Sequence, residues 1–510
     1  MGWGVYDPRQ EYMRMGVPWE RIPRAVPPYR TSMWKHTGVN QNYEDFCPSY
    51  PAHLWVPERI QDSTLKHGMK YRSKHRIPAL VYLHWHNTGT ITRASQPMVG
   101  VRNARSPQDE ALVEQIFESH EDRKSNPTGK PVFGSTPKNL IIDARPTKNA
   151  FGNALKGAGT ENMDYYQGCR KIFSGVDNIH VMRDSLATIV DALNESEANG
   201  TVDKSALQSS AWLSHLRALI DGAYAIIETV HFFNSHVLVH CSDGWDRTSQ
   251  LSALAQLCLD PYYRTMRGFA VLVEKDWLSF GHRFADRTGH LVRRPDAFVN
   301  LAGVSLNVYN EDEAEGFGNS PPTTGMGAML AGLQQRFPFS DPHRREMSPV
   351  FFQFLDCIYQ IMSQFPERFE YNSTFLLKVH YHLHSCQFGN FLFNSEYDRV
   401  KYGIKDRTRS LWEIFDPTSP GNVVAECLNP LYNPALDDRT TKVRADRTSN
   451  MGVLLPKGKN LKFWAEAFGK TDEEMNMPVA ASVGDETTEP GPEPLGPIES
   501  AAEDPVLSAL

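Results

Sequence analysis

An apolar run, "HVLVH", leads into Cys241; five residues separate it from Arg247, which is followed by "TSQLSALAQLCL". A short apolar run bounded by turn-forming residues reads as a buried strand. Leu251, Leu254, Ala255 and Cys258 recur at helical spacing, so an amphipathic helix is expected to follow. The chain must therefore pass from strand to helix through "CSDGWDRT", a strand–loop–helix connection of the α/β kind. A long helical stretch, "SAWLSHLRALIDGAYAIIETVHFF", precedes the strand.

The same pattern extends outward. "RIPALVYLHWH" and "KNLIIDARP" read as strands, and "DNIHVMRDSLATIVDAL" as a short strand running into a helix. "SPQDEALVEQIFESH" reads as a helix with Ser106 as N-cap and Pro107 at its first position. Alternating strands and helices predict an α/β domain: a central, mostly parallel sheet flanked by helices. The first fifty or so residues, rich in Pro, Tyr and Trp, suggest an extended docked segment rather than a helix. Further helices are expected in "SPVFFQFLDCIYQIMSQFP" and "STFLLKVHYHLHSC". One large catalytic domain is expected over residues 1–470. A mobile insertion at about 291–345 would interrupt it, and 471–510 reads as a disordered acidic, Pro-rich tail.

Composition narrows the class. A net charge of −7 over 510 residues argues against a general nucleic-acid binder, so any basic site must be local. Seven scattered cysteines do not make a disulfide framework and favour a reducing, cytoplasmic setting. The N-terminus lacks the apolar core of a signal peptide, and Tyr6 breaks the myristoylation pattern. Membrane contact is expected to be peripheral.

The loop itself carries the chemistry. Its N–H groups, backed by a helix N-terminus, would converge on an anion. Such a field suits a thiolate nucleophile at Cys241. Arg247 offers a planar fork to two phosphoryl oxygens, and Thr248 could hydrogen-bond the sulfur. "DRTS" recurs at Asp446–Ser449, but Thr441 stands where the cysteine would be, with no strand before it. The histidines of "VHYHLHSC" and "LHWHN" read as packing or surface residues rather than metal ligands. His382 is expected on the apolar stripe with Val379 and Leu383. The basic run "LKHGMKYRSKHR" reads as a solvated loop.

"HCSDGWDRT" closely resembles the active-site signature of the myotubularin family of phosphoinositide 3-phosphatases. The likeness continues through "GWGVYDPRQEYMRMGVP", "ITRASQPMVGV", "IDARPTKNAFGNALKGAG", "NIHVMRDSL", "MRGFAVLVEKDWLSFGHRF" and "SPVFFQFLDCIYQ", covering most of Met1 to about Trp464. It implies a cysteine-phosphatase-type domain that takes the 3-phosphate from phosphatidylinositol 3-phosphate and the 3,5-bisphosphate, without a metal or other cofactor. Cys241 would be the nucleophile, cradled by Ser242, Asp243, Gly244, Trp245, Asp246 and Arg247. Asn153, Asn178 and Ile179 match residues around the phosphate joining inositol to glycerol. Arg283 and Arg287 match residues reaching the rest of the ring, and their i, i+4 spacing would place both guanidinium groups on one helix face.

No separate general acid stands out, so Asp246 is expected to supply the proton, favoured in its protonated form by a dianionic substrate and a nearby thiolate. Asp243 is expected to orient the loop, with an exchange of those roles left open. The implied partners are phosphoinositide headgroups on endosomal or vacuolar membranes, and homo- or hetero-oligomers with other family members, though no coiled coil is read. Family members normally carry a PH-GRAM domain ahead of this region, whereas here the match starts at Met1. A protein tyrosine or dual-specificity phosphatase, or a non-catalytic adaptor, are the competing readings.

Overall fold

A computed structural model describes residues 1–20, 33–119, 138–153, 157–290, 345–437 and 451–477. The expected insertion, apart from Arg345, and the tail beyond Met477 lie outside the described residues. Seven strands are described: β1 (Trp34–Thr37), β2 (Leu54–Pro57), β3 (Ala79–Leu83), β4 (Thr90–Ser95), β5 (Asn139–Asp143), β6 (Cys169–Phe173) and β7 (Val237–Cys241). β1 and β2 form a small antiparallel pair. The other five form one mixed sheet in the order β3-β4-β7-β5-β6, parallel except between β3 and β4.

β7 lies at the centre of this sheet. Every residue from Val237 to Cys241 is buried, which explains its near-continuous apolar sequence. Ser95 pairs with Cys241 and Asp143 with His240, so the ends of β4, β5 and β7 are level. Loops leaving the carboxyl ends of parallel strands gather at one edge, and the catalytic loop is among them.

Helix Arg247–Leu259 departs from its expected amphipathicity: from Thr248 to Leu259 it is buried on all sides. Its polar stripe meets protein rather than water. Gln250 donates to Val350 O and Gln353 Oε1, and Ser252 and Gln256 donate to Asp276. On the opposite flank lies helix Trp212–Ile227, and a Cβ at Gly222 would come within 2.9 Å of Leu251. A side chain there would have to displace the tip of Leu251.

Other expectations need correction. Residues 8–14 are helical, with Asp7 accepting from Arg9 N–H and Pro8 at the first position, a start signal hidden by the surrounding prolines. No strand opens "DNIHVMRDSL"; Asn178 caps the helix Ile179–Asn199 directly, and the strand lies earlier at β6. His380, not His382, lies on the buried face of helix Ser373–Ser385. The ordered part passes residue 470: helix Asp472–Asn476 buries Met475, Asn476 bonds both backbone groups of Phe463, and the compact unit ends at Asn476.

The basic run "LKHGMKYRSKHR" is not simply a solvated loop. Arg72 and Arg76 are fully buried within it. Arg72 grips Asp109 through two bonds and pairs with Glu161, while Arg76 reaches the catalytic loop. Isolated buried guanidinium groups would be unfavourable; paired and hydrogen-bonded, these wire loops together.

Candidate active site

Four carbonyls of the loop after β7, those of Cys241, Ser242, Gly244 and Trp245, each meet a polar partner. Gln96 N–H donates to Ser242 O at 3.0 Å, and His240 Nδ1 lies 3.2 Å from Cys241 O. Gly244 O accepts from both Arg76 and Arg93 at 2.8 Å. Trp245 O accepts from Ser249 Oγ at 3.0 Å and lies 2.9 Å from His282 Nδ1. With the Gly244 carbonyl held by Arg76 and Arg93, the Gly244 N–H donates to Cys241 Sγ at 3.2 Å.

Gly244 makes this path possible. Its φ is +76°, and a Cβ there would lie 2.3 Å from Ala94 O on β4. The loop lies against the neighbouring strand with no room for a side chain.

Two buried networks support the loop. Behind it, His240 Nε2 lies 3.0 Å from Glu161 Oε2, and Glu161 also pairs with Arg72 at 2.7 Å. Burial pushes Glu161 up, but His240 and Arg72 outweigh it and hold the carboxyl well below its ordinary range. Beside it, Arg145 clamps Asp143 at 2.8 and 2.6 Å and donates to Gln96. Arg93 is pulled down to about 10 by burial, with Asp276 opposing.

At the mouth, Arg247 donates to Val176 O and Ser242 Oγ, both at 3.3 Å. Thr248 Oγ1 is buried without a hydrogen-bond partner among the described residues, beside the arginine at the helix start. Asp243 accepts from Ser73 Oγ at 3.0 Å, which fixes one side of the loop. Trp245 is nearly buried, with the Arg76 and Arg283 guanidinium groups 5.6 and 5.4 Å from its ring.

Asp246 has two partners. Arg287 grips both carboxylate oxygens, and His282 Nδ1 lies 3.0 Å from one of them. Burial alone would raise its pKa, yet Arg287 and His282 hold it far below the ordinary carboxylate range. Without substrate it is an anion; the protonated form expected above belongs to the loop with substrate bound. Its resting charge comes from the partner the sequence did not reveal.

Arg283 and Arg287 do not present two matching guanidinium groups. The helix Phe284–Thr288 is five residues long and Arg283 is its N-cap, half-exposed and paired with Asp286. Arg287 is buried, shared between Asp246 and Glu346.

Asn153 Nδ2 donates to Gln96 Oε1 at 3.2 Å, which ties it to the catalytic loop through the Gln96 backbone. Asn178 caps its helix by accepting from His180 and Val181 N–H, and Ile179 O accepts from Ser348 Oγ at 2.9 Å. Sequence reasoning missed Arg76, Arg93, Gln96, Glu161 and His282. An arginine inside the apolar strand segment "TITRAS" was a readable hint of a buried charge with a partner.

A buried cysteine that accepts from a loop amide, with an arginine at the head of the next helix, has the makings of a phosphate-handling loop. A myotubularin-like phosphatase domain model matches residues 1–400. The phosphoinositide 3-phosphatase of Saccharomyces cerevisiae is 34% identical over 518 residues, covering 93% of this chain and 71% of that protein. The mouse phosphatidylinositol-3,5-bisphosphate 3-phosphatase MTMR6 is 35% identical, covering 93% of this chain and 62% of its own length. The Pongo abelii phosphatidylinositol-3,5-bisphosphate 3-phosphatase MTMR2 is 39% identical, covering 84% and 55%. The chain belongs to the myotubularin family of phosphatases. It spans between 55% and 71% of the length of these three relatives.

Proposed function

We propose that this chain hydrolyses the 3-phosphate of phosphatidylinositol 3-phosphate and of the 3,5-bisphosphate, on a cysteine-phosphatase-type fold and through a phosphocysteine. The observation that carries the reading is the anchoring of the loop's carbonyls, which directs the Gly244 amide at Cys241 Sγ.

Cys241 sulfur attacks phosphorus as the bond to the inositol C3 oxygen breaks. The amide nest and the Arg247 fork hold the three remaining phosphoryl oxygens as charge shifts among them. The departing oxygen takes a proton from Asp246. That carboxyl must first gain one, and the anionic substrate promotes this in two ways: it adds negative charge nearby and it competes for Arg287. Water then attacks the phosphocysteine, Asp246 accepts its proton, and inorganic phosphate leaves with the thiolate restored. Thr248 Oγ1 would stabilise that departing sulfur. Asp243 orients the loop through Ser73.

Asn153, Asn178 and Ile179 would border the phosphodiester, and Arg283 and Arg287 the far side of the ring. Each step uses the chain's own groups and water. The setting that fits is cytoplasmic, on the surface of endosomal or vacuolar membranes, with oligomers of family members as further partners. No described helix is long and apolar enough to cross a membrane.

Phosphate release from short-chain inositol lipids and from phosphotyrosyl peptides tests the proposal. Release from the lipids alone, lost in Cys241→Ser, is the expected result. Faster turnover of peptides would make this a protein phosphatase, and no Cys241-dependent release from either would make it an adaptor.

A further inference from the structure

We infer that the catalytic edge of the sheet is a bilayer-docking face, at which Val101, Phe151 and Val181 enter the interfacial layer of an anionic membrane. The inference rests on the reading of the site as one for an inositol lipid and goes beyond it by assigning the residues that touch the surface.

Its first support is topological. The catalytic loop follows β7, and each other parallel strand sends a loop from the same edge. Among the described residues, the segment after each of these strands carries an exposed apolar side chain: Val101 in the loop after β4 is 71% exposed, Phe151 in the short helix after β5 is 60%, and Val181 in the first turn of the helix after β6 is 36%. Large side chains left in water from separate loops at one edge mark a surface with a partner.

The loops adjoin one another and the site. Gly100, beside Val101, donates to Ala158 O at 2.9 Å, and Ala158 in turn donates to Asn153 O. The Phe151 ring lies 6.2 Å from that of Phe173, the last residue of β6. Val181 N–H bonds the side chain of Asn178. The apolar side chains are therefore placed one or two steps from the residues proposed to border the headgroup.

Charge identifies the partner. The chain as a whole carries −7, which an anionic bilayer repels. At this edge, though, Arg102 adjoins Val101, Lys148 shares the short helix of Phe151, and Arg183 follows Val181 by two residues; Arg102 and Lys148 are exposed. Arg183 is partly compensated by Asp184. Apolar side chains interspersed with cations suit the boundary between headgroups and acyl chains. A protein partner would favour one continuous apolar core instead. The substrate also demands such contact: Cys241 is 2% exposed, so a headgroup still anchored in its membrane reaches it only if the surrounding rim meets the surface.

The test uses the full chain carrying Cys241→Ser, sedimented with vesicles of phosphatidylcholine and phosphatidylserine that contain no phosphoinositide. Joint replacement Val101→Ser, Phe151→Ser and Val181→Ser is expected to weaken vesicle binding about tenfold. Arg102→Glu with Lys148→Glu is expected to weaken it by a similar factor, about tenfold, on the same anionic vesicles. In the Cys241-containing protein the triple serine variant should turn over a short-chain soluble inositol lipid at the unaltered rate. The inference is overturned if the parent protein does not sediment, if the triple serine variant sediments like its parent, or if its soluble turnover falls equally. Absence of turnover of any soluble inositol lipid by the parent would instead strike the substrate reading, leaving the sedimentation result to decide the docking face.

Discussion

Arg287 donates to both oxygens of Asp246, through Nε at 3.1 Å and Nη2 at 2.9 Å, inside the loop that holds the nucleophile. The pair is buried, so its charges depend on each other more than on solvent. Asp246 is thus held as an anion at rest, and it would become a proton donor only if Arg287 were drawn away from it. Substrate with a phosphate within reach of Arg287 would do this.

Replacing the arginine exposes this dependence. Arg287→Met leaves a buried carboxylate without its main partner, and a destabilisation of about 3–5 kcal/mol is expected near neutral pH. The Asp246 carboxyl in the folded protein lies below its unfolded value, so the pair's stabilisation is present above that value, about 3.9. It is lost as pH falls through the lower folded one. Urea unfolding of the parent and Arg287→Met should therefore show a gap that is constant from neutral pH to about 5 and narrows at stronger acidity. A gap that widens on acidification would place the pair's energetics elsewhere.

The acid role of Asp246 has its own signature. Asp246→Asn cannot donate a proton and should lower kcat on a short-chain inositol lipid by about a hundredfold or more. An aryl phosphate, whose leaving group needs no proton, should be spared by comparison. Equal losses on both substrates would reduce Asp246 to a structural anion. If Asp243→Asn rather than Asp246→Asn gave the split, the two carboxylates would exchange roles.

At Gly244 the strain can be located in advance. A methyl group would meet the Ala94 carbonyl of the adjacent strand, and the backbone already has a positive φ. The cheapest relief is to rotate the 244 peptide, which withdraws the N–H from Cys241 Sγ and the carbonyl from Arg76 and Arg93. Gly244→Ala should lower kcat/KM by about a hundredfold, comparable to loss of an oxyanion donor. Thermal unfolding should fall as well, because two buried arginines lose an acceptor. A variant with normal turnover would show that the Gly244 amide does not touch the reacting phosphate.

Much of this architecture was legible from local pattern, and the omissions share a physical cause. β7 and the helix starting at Arg247 could be read because an apolar run and helical spacing are properties of one segment. The N-caps at Ser106 and Asn178 also write themselves locally, although at Asn178 a cap was mistaken for the end of a strand. Arg76 and Arg93 could not be placed, since their role is to satisfy Gly244 O, far away in sequence. The spacing of Arg283 and Arg287 suggested two guanidinium groups on one helix face, but the pairing of Arg287 with Asp246 depends on how helix Phe284–Thr288 packs. Likewise Gln250, Ser252 and Gln256 looked like a wet stripe, because no segment announces that its polar face will meet another polar face.

Thr248 provides a test that separates folding from chemistry. Its hydroxyl is buried without a partner among the described residues, which makes it a liability to the resting fold. Thr248→Val keeps the shape and removes the unsatisfied group, so thermal stability should be unchanged or slightly higher. If the hydroxyl bonds the sulfur as the phosphocysteine breaks down, the second step should slow. A rapidly quenched reaction should then show more phosphorus bound to Cys241 and a turnover lower by about tenfold, the scale of one lost charge-assisted bond. A variant that is both more stable and fully active would show that the threonine is an accident of packing at the helix start.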